Sequence, residues 1–308
     1  MLRAAVIALT LAGCYSPSVI AGVACVNACP GDQLCINNVC RDPDELGDAS
    51  IDGPDPDAPI DGAPDVDTDG DGLFDNVDNC FKVANIDQHD EDHDALGDPC
   101  DPCPHIAIGA AADADSDGVG DACDPEPATP RQSWAYFDPF TSRRTGWSAT
   151  PDATFANDQM RLTGYIELDL QVPNARVQAG GSLTVGANTP HQAVMEFGQL
   201  DDDHDYYVEF YDEGDGGGVK ISKYVAGSFI GVANTGYSGV IPSGPFMWTT
   251  DYSVAAQSVT FNAKHGATTF PSITGATTSP ALGSTMYLFF GAVHVTMTYD
   301  YLAVIATN

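Results

Sequence analysis

Apolar and polar residues alternate in short stretches between residues 134 and 308, which is the period expected for half-buried β-strands. Turn-forming clusters separate these stretches, and no amphipathic helical stretch of convincing length appears among them. Many short strands in a segment of this length predict two packed antiparallel sheets, a β-sandwich or jelly roll. The alternating apolar positions include Leu168, Leu170 and Val172; Met195 and Phe197; Val208 and Phe210; Val259 and Phe261; Val293, Val295 and Met297.

In residues 67–124 this alternation is absent, and aspartates recur in a fixed register instead. Three loops begin 23 residues apart, and each has Asp at its positions 1, 3, 5, 9 and 12. Carboxylates this close repel one another unless a cation lies among them, and Ca²⁺ accepts about six to eight oxygen ligands in adaptable geometry. Several Ca²⁺ ions are therefore the predicted cofactors. The predicted carboxylate ligands are Asp67, Asp69, Asp71, Asp75, Asp78, Asp90, Asp92, Asp94, Asp98, Asp101, Asp113, Asp115, Asp117, Asp121 and Asp124.

Positions 6 and 7 of each loop favour metal binding over the alternative, a solvated and disordered acidic run. Position 6, where the chain turns sharply, is Gly72 and Gly118 but Ala95 in the second loop, so we expect that loop to be the most strained. Position 7 is apolar, and its backbone carbonyl is the predicted ligand, at Leu73, Leu96 and Val119. An EF-hand or a dockerin would need an amphipathic helix leaving the loop, and none is indicated after Asp78.

Cysteines follow the same period as the aspartates. Cys80 and Cys100 are 20 residues apart, as are Cys103 and Cys123, so sequential pairing is the natural expectation. At this point the chain resembles the thrombospondin type 3 repeat. The matching pattern consists of residues 67–80, Asn85, Gln88, residues 90–94 and residues 97–101.

The thrombospondin-like resemblance extends over residues 67–124. It implies little regular secondary structure, a chain wrapped around pairs of calcium ions, and disulfides between successive cysteines. The third copy departs from the pattern, because Ile108 and Ala111 occupy the Asn and Gln positions, so any ligand from those positions is missing. We expect calcium to order this stalk without being needed to fold the sandwich.

The amino terminus predicts export. Arg3 precedes an apolar stretch, and residues 11–14 have the form of a bacterial lipobox in which Cys14 would carry the lipid. The prediction is a membrane-anchored lipoprotein of the cell envelope, in the outer membrane or at the cell surface; ordinary secretion with cleavage after Ala24 is the alternative. The apolar stretch is too short to span a bilayer.

Cysteine parity agrees with lipidation, because nine cysteines minus Cys14 leave eight that can pair in an oxidising compartment. Four of them are close together and predict a knot with two disulfides, with a zinc site as the alternative: Cys25, Cys29, Cys35 and Cys40. The predicted organisation is a signal peptide (1–13), a lipidated tether and knot (14–40), a disordered Asp/Pro-rich linker (41–66), calcium repeats (67–124), a short linker (125–133) and the sandwich (134–308).

The net charge of −33 is concentrated ahead of the sandwich, because most of the 44 acidic residues lie between Arg41 and Arg131. Calcium ligands and the linker account for much of this charge, and it argues against a nucleic-acid partner.

The sandwich itself resembles the concanavalin A-like and laminin G-like superfamily, through residues 137–140, residues 146–147, Phe155 and residues 299–304. This resemblance implies a lectin-like topology. Some enzymes on this fold use an E-x-D-x-x-E strand, and Glu167 and Asp169 begin that pattern, but the second acid is absent locally. No other catalytic motif is present, so the chain is predicted not to be an enzyme.

The function predicted from these features is adhesion or recognition, with a carbohydrate or matrix ligand and a membrane contact through the lipid. A divergent polysaccharide-active enzyme and a pure structural spacer are the alternatives. Residues 201–205 are either a charged turn or an additional calcium site. The aromatic residues considered for sugar stacking are Trp147, Trp248, Tyr206 and Tyr237.

Overall fold

The computed structural model describes residues 34–36, 39–41, 66–108, 112–198, 205–212, 216–237, 243–278 and 287–307. Contacts divide the chain into two compact units, residues 1–90 and residues 91–308. No helix in the described part of the chain is long and apolar enough to cross a membrane.

In the first unit, a short hairpin pairs β1 (Leu34–Ile36) with β2 (Val39–Arg41) and places the backbones of Cys35 and Cys40 opposite each other. Residues 66–90 contain turns and bends without strands, as the repeat resemblance implies. The predictions for Cys14, Cys25, Cys29 and most of the 41–66 linker lie outside the described residues, and for Cys35 and Cys40 only the backbone is described.

The second unit contains the remaining strands of the described chain. They are β3 (Gln132–Asp138), β4 (Ala153–Phe155), β5 (Met160–Leu162), β6 (Tyr165–Leu168), β7 (Asn174–Val185), β8 (His191–Gly198), β9 (Asp205–Asp212), β10 (Gly217–Val225), β11 (Ser228–Tyr237), β12 (Gly244–Ser253), β13 (Ser258–His265), β14 (Thr268–Thr269), β15 (Ile273–Ala276), β16 (Tyr287–Val293) and β17 (Val295–Thr307).

These strands form two antiparallel sheets, which confirms the predicted sandwich. A six-stranded sheet has the order β11-β10-β9-β8-β16-β6. A nine-stranded sheet has the order β14-β13-β12-β7-β17-β5-β4, with β15 paired to β13 and β3 paired to β17. The strand pairs are antiparallel throughout.

The core lies between the sheets and is built by the alternation seen in the sequence. Val208 and Phe210 of β9 face Val259 and Phe261 of β13 across one continuous buried cluster. Phe210 stacks on Trp248 of β12, with ring centroids 5.5 Å apart. Each such side chain contributes about 1.5 to 3 kcal/mol through burial, so the alternating apolar positions are a main stabilising contribution to the sandwich.

Three of the aromatic residues considered for sugar stacking are core residues instead. Trp147, Trp248 and Tyr206 are 6%, 1% and 0% exposed, because each lies at an inward position of the sheets or against them. Trp147 donates its Nε1–H to the buried carboxylate of Asp138 at 2.8 Å. The prediction that these rings stack on a ligand is therefore wrong, and the side chain of Tyr237 lies outside the described part of the structure.

Candidate functional sites

The first calcium loop gathers three carboxylates around one point. Asp67, Asp69 and Asp71 each offer an oxygen within 4.8 Å of the other two. Asp67 turns back into the loop and accepts hydrogen bonds from the backbone N–H groups of Gly70 and Gly72, at 2.6 and 3.1 Å. Both glycines have positive φ, 81° and 102°, a conformation that glycine adopts without strain. The backbone therefore holds the carboxylates together.

The third loop repeats this arrangement bond for bond. Asp113 accepts hydrogen bonds from the N–H groups of Ser116 and Gly118 at 2.7 and 3.0 Å, and it lies within 4.8 Å of Asp115 and Asp117 by the same measure. The same geometry in two loops of different sequence indicates that the aspartate register determines the fold of the loop.

The boundary between the two compact units falls inside the second loop, directly after Asp90. Asp94 accepts a hydrogen bond from Leu96 N–H at 3.0 Å, as position 5 does in the other loops. Ala95 takes φ 80°, in the left-handed region that costs an L-residue about 1 to 2 kcal/mol. The strain expected for this loop is present.

Several loop oxygens are buried without a hydrogen-bond partner among the described residues. Both oxygens of Asp115 and one oxygen each of Asp69 and Asp124 are in this state. Desolvation, followed by the charge of Asp117, raises the pKa of Asp115. A divalent cation would supply the missing partner and relieve both effects, so the residues present fit Ca²⁺.

Position 7 of the loops and the amide residues after the first loop also follow the repeat pattern. At position 7, Leu73 and Val119 are buried and Leu96 is half-buried, and ligation by their carbonyls stays a prediction. After the first loop, Asn79, Asn85 and Gln88 are buried and bind one another: Asn85 Nδ2 donates to Asn79 Oδ1 at 2.7 Å, and Gln88 Nε2 donates to Asn85 Oδ1 at 2.9 Å. In this structure the three amide side chains hold the turn together.

One disulfide is fully described. Cys103 and Cys123 are joined with a Cα–Cα distance of 5.8 Å, which is the expected sequential pair. Cys80 and Cys100 are also disulfide-bonded, and their pairing with each other stays a prediction.

The third repeat shares a hydrophobic core with the nine-stranded sheet. Val119, Cys103 and Cys123 pack with Ile305 of β17. His105 lies 4.8 Å from the ring centroid of Tyr301, also on β17. Burial lowers the pKa of His105 to about 4, which keeps the ring neutral in this apolar contact.

Hydrogen bonds connect the same surfaces. The N–H of Gln132, the first residue of β3, donates to Asp117 Oδ2 at 2.7 Å, and Trp134 Nε1 donates to Pro102 O at 3.3 Å. Asp117 is a predicted calcium ligand, so one carboxylate belongs both to the loop and to the start of the sandwich. The third loop and β3 are therefore in direct contact, and the expectation that the sandwich folds without calcium stays a prediction.

A second candidate site lies on the outward face of the six-stranded sheet, where a groove has a volume of about 360 Å³. Met195 and Val208 point into the core, so their neighbours Glu196, Tyr207 and Glu209 lie on the opposite face. The groove is lined by Tyr165, Gln192, Val194, Glu196, Tyr207, Glu209, Lys220, Ser222, Phe229, Gly231 and Phe289.

Strand register places Glu196 between two aromatic residues. Phe289 on β16 is its partner on one side and Tyr207 on β9 is its partner on the other. Because neighbouring strands lie about 4.8 Å apart, the two aromatic positions are about 10 Å apart. We call the space between these aromatic walls, above Glu196, the Glu196 slot.

Further rings extend both walls of the slot. Tyr165 stacks on Phe289 with centroids 5.3 Å apart, and Phe229 packs edge-on against Tyr207 at 5.2 Å. Tyr165 and Phe229 are 48% and 67% exposed, so both walls present aromatic surface to solvent. Gly291 allows this arrangement, because a Cβ at that position would lie 2.7 Å from Tyr165 Cε1.

The polar groups of the slot differ in their availability. Glu209 is buried, and it accepts a hydrogen bond from Ser222 Oγ at 3.1 Å and pairs with Lys220 Nζ at 3.3 Å. Among the described residues no cation pairs with Glu196. Burial raises the pKa of Glu196 to about 7, and the charges of Asp205 and Glu167 add to the rise while a hydrogen bond from Tyr207 opposes it. A carboxyl with this pKa can donate or accept a hydrogen bond near neutral pH.

Sequence reasoning identified Glu167 and missed Glu196 and Glu209. Glu167 is on β6, where it pairs with Phe289 on the side opposite Glu196. Of the 201–205 segment, only Asp205 lies in the described part of the chain, at the start of β9, so the prediction of an additional calcium site there remains outside the described residues.

Comparison with known proteins supports the repeats and shows more distant likenesses for the sandwich. A family model for the thrombospondin type 3 repeat matches residues 41–88 and 112–126. No curated protein sequence matches the chain. The matched segments carry the first and third calcium loops, whose geometry is described above.

Three solved structures resemble part of the chain. The GH43B protein of the Bacteroides ovatus xyloglucan PUL is 13% identical with a TM-score of 0.45, over 55% of this chain and 38% of that one. A lectin from Bauhinia forficata in complex with GalNAc is 8% identical with a TM-score of 0.44, over 56% and 97%. The κ-carrageenase from Pseudoalteromonas carrageenovora, solved with an oligotetrasaccharide of κ-carrageenan, is 8% identical with a TM-score of 0.40, over 60% and 100%. The chain thus spans well under half of the first protein, and likenesses this distant assign no function.

Proposed function

We propose that the sandwich binds a saccharide in the Glu196 slot, and that the chain acts as a calcium-binding recognition or adhesion protein of the cell envelope or cell surface. The observation that carries this proposal is the pair of exposed aromatic walls on either side of a hydrogen-bonding floor. The C–H faces of sugar rings pack on aromatic side chains, and sugar hydroxyls need polar partners. Tyr165 and Phe229 offer aromatic surface, and Glu196, Gln192 and Ser222 offer polar partners.

The third repeat supports this function by holding the start of the sandwich, through the hydrogen bond from Gln132 N–H to Asp117. The Cys103–Cys123 disulfide agrees with an oxidising location outside the cytoplasm. Attachment to a membrane through a lipid on Cys14 is part of the proposal and rests on the sequence pattern alone.

A glycan array probed with the full chain in Ca²⁺ tests the proposal. We expect binding to a defined class of oligosaccharides and a loss of up to about tenfold in affinity for Phe229→Ala or Tyr165→Ala, from lost stacking. Met247→Ala is the matched control, because Met247 is a 46% exposed apolar residue on β12 of the other sheet. Equal losses for all three variants, or the absence of any bound glycan, would contradict saccharide binding in the slot.

Glycoside hydrolysis is the second candidate function, because the slot contains more than one carboxylate. Glu196 and Glu209 are diagonal neighbours on adjacent strands, a relation that separates Cα atoms by about 7 to 8 Å. Inverting glycosidases hold their two carboxyl groups roughly 6.5 to 9.5 Å apart, a separation that side chains at diagonal positions of a sheet can reach. Glu209, however, is already engaged by Lys220 and Ser222, which favours binding without turnover.

Release of reducing ends from each bound polysaccharide distinguishes the two functions. We expect no hydrolysis by the wild-type chain. Turnover that Glu196→Gln abolishes while binding persists would establish the enzyme instead.

A further inference from the structure

The charged groups around the Glu196 slot are mostly negative. Glu196 forms its floor, Glu209 follows on the next strand, and Glu167 lies beyond Phe289 on the same row of the sheet. Asp205 acts electrostatically on Glu196 as well. Among the groove-lining residues that the structure describes, Lys220 is the one basic side chain.

Lys220 is not available to neutralise an incoming anion. Its Nζ lies 3.3 Å from Glu209 Oε1 and 4.6 Å from the ring centroid of Tyr211, so it already has an ion pair and a cation–π contact. A ligand that recruited Lys220 would leave the carboxylate of Glu209, which is only 5% exposed, without its counter-charge.

From this distribution we infer that the slot accepts uncharged and amine-bearing sugars and excludes sugars that carry carboxylate or sulfate groups. This inference rests on the proposed saccharide binding and adds the chemical class of the ligand. A sugar that crosses the slot passes directly above Glu196, because the aromatic walls confine it there. An anionic substituent at that place meets like charge on the floor, whereas an ammonium group can form an ion pair with the Glu196 carboxylate.

The expected discrimination approaches about tenfold above about pH 8, where Glu196, with its pKa of about 7, is ionised. Two like charges about 6 Å apart repel by about 1.4 kcal/mol at an effective dielectric constant of about 40, between the protein-surface and bulk-water values, and that energy corresponds to a tenfold change in affinity. Added salt should reduce the difference in affinity between neutral and anionic glycans, because screening weakens charge repulsion and leaves shape complementarity unchanged.

The test is an array of neutral, amine-bearing, uronic-acid and sulfated oligosaccharides, chosen so that charged and uncharged members share backbones. The full chain is loaded with Ca²⁺ and desalted, so that free calcium does not bridge acidic glycans. Wild type, Glu196→Gln and Glu167→Gln are compared in low salt and in high salt at about pH 8, where most of the Glu196 carboxyl is ionised. Circular dichroism of each variant establishes that it is folded. If Glu196→Gln perturbs the slot, Glu167→Gln on the edge strand β6 still tests the effect of removing a negative charge.

We expect neutral or amine-bearing glycans among the bound set, with anionic members of the same backbone bound up to about tenfold more weakly above about pH 8. Either Gln variant should reduce this difference, and so should high salt. Anionic glycans that bind as tightly as their neutral counterparts, or more tightly, overturn the inference and leave saccharide binding intact. A chain that binds no glycan at all overturns the proposed function and the inference together.

Discussion

Glu196→Gln should stabilise the protein at alkaline pH and leave its stability at low pH unchanged. The environment of Glu196 raises its pKa from 4.5 to about 7, mainly through burial and then through the charge of Asp205. In the unfolded chain the group returns to its ordinary value. Between these two pKa values the folded state therefore binds more protons than the unfolded state, and stability falls as pH rises.

The size of this effect follows from the shift. A difference of about 2.5 pKa units corresponds to up to about 3 kcal/mol at 1.36 kcal/mol per unit. This penalty is absent below about pH 4.5 and complete above about pH 7. Glutamine has the shape of the neutral acid and never ionises. The variant therefore lacks the destabilisation that ionised Glu196 causes above about pH 7, and it keeps the packing between Phe289 and Tyr207.

Urea denaturation of both proteins at pH 4, 6 and 8 measures the difference directly, at constant Ca²⁺ and ionic strength. Near-ultraviolet circular dichroism is a suitable signal, because Trp147 and Trp248 are buried in the sandwich core. Glu167→Gln serves as the comparison. It removes one of the charges that raise the pKa of Glu196, so it should increase the free energy of unfolding at pH 8 by less than Glu196→Gln does. A Glu196→Gln variant that is no more stable than wild type at pH 8 would refute the reasoning. So would a variant whose free energy of unfolding differs from that of wild type by the same amount at every pH.

Four further outcomes are expected. Asp115→Asn should weaken calcium binding and stabilise the calcium-free chain, because the desolvated carboxylate of Asp115 is destabilising when no ion is bound. Calorimetry measures calcium binding, and thermal melting with and without chelator measures stability. A variant that is less stable than wild type in chelator contradicts the prediction. Ala95→Gly should improve stability by about 1 kcal/mol by relieving left-handed strain, and an unchanged denaturation midpoint would count against that. Non-reducing peptide mapping should recover Cys80 joined to Cys100, and a peptide joining either of them to another cysteine refutes sequential pairing. The native protein should partition into detergent and Cys14→Ser should not; a mature amino terminus at Cys25 would point to soluble secretion.

The calcium loops could be predicted from the sequence because their information is local. Each loop closes through contacts between residues two to seven positions apart, such as Asp67 with Gly70 and Thr68 with Asp75. The register of aspartates and glycines therefore specifies the geometry almost completely. The contact of Val119 with Ile305 has no such local signal, and the coupling of the third loop to the sandwich could not be foreseen.

The sandwich was predictable as a class and the slot was not. Alternation identifies which residues of a strand share a face, and it already places Tyr206 with Val208 and Phe210 on the inner face, which is why Tyr206 cannot stack on a ligand. Alternation does not give the order of strands. The slot exists because β16 lies between β6 and β8, bringing Phe289 beside Glu196, and only the folded sheet shows this neighbourhood.

The most direct test of the central claim is a crystal structure of the full chain with the tightest-binding oligosaccharide from the array. The account predicts a sugar ring in the Glu196 slot, between Phe289 and Tyr207, with a hydroxyl or amine within hydrogen-bond distance of Glu196. A saccharide bound elsewhere on the sandwich, with the slot left to solvent, would contradict it.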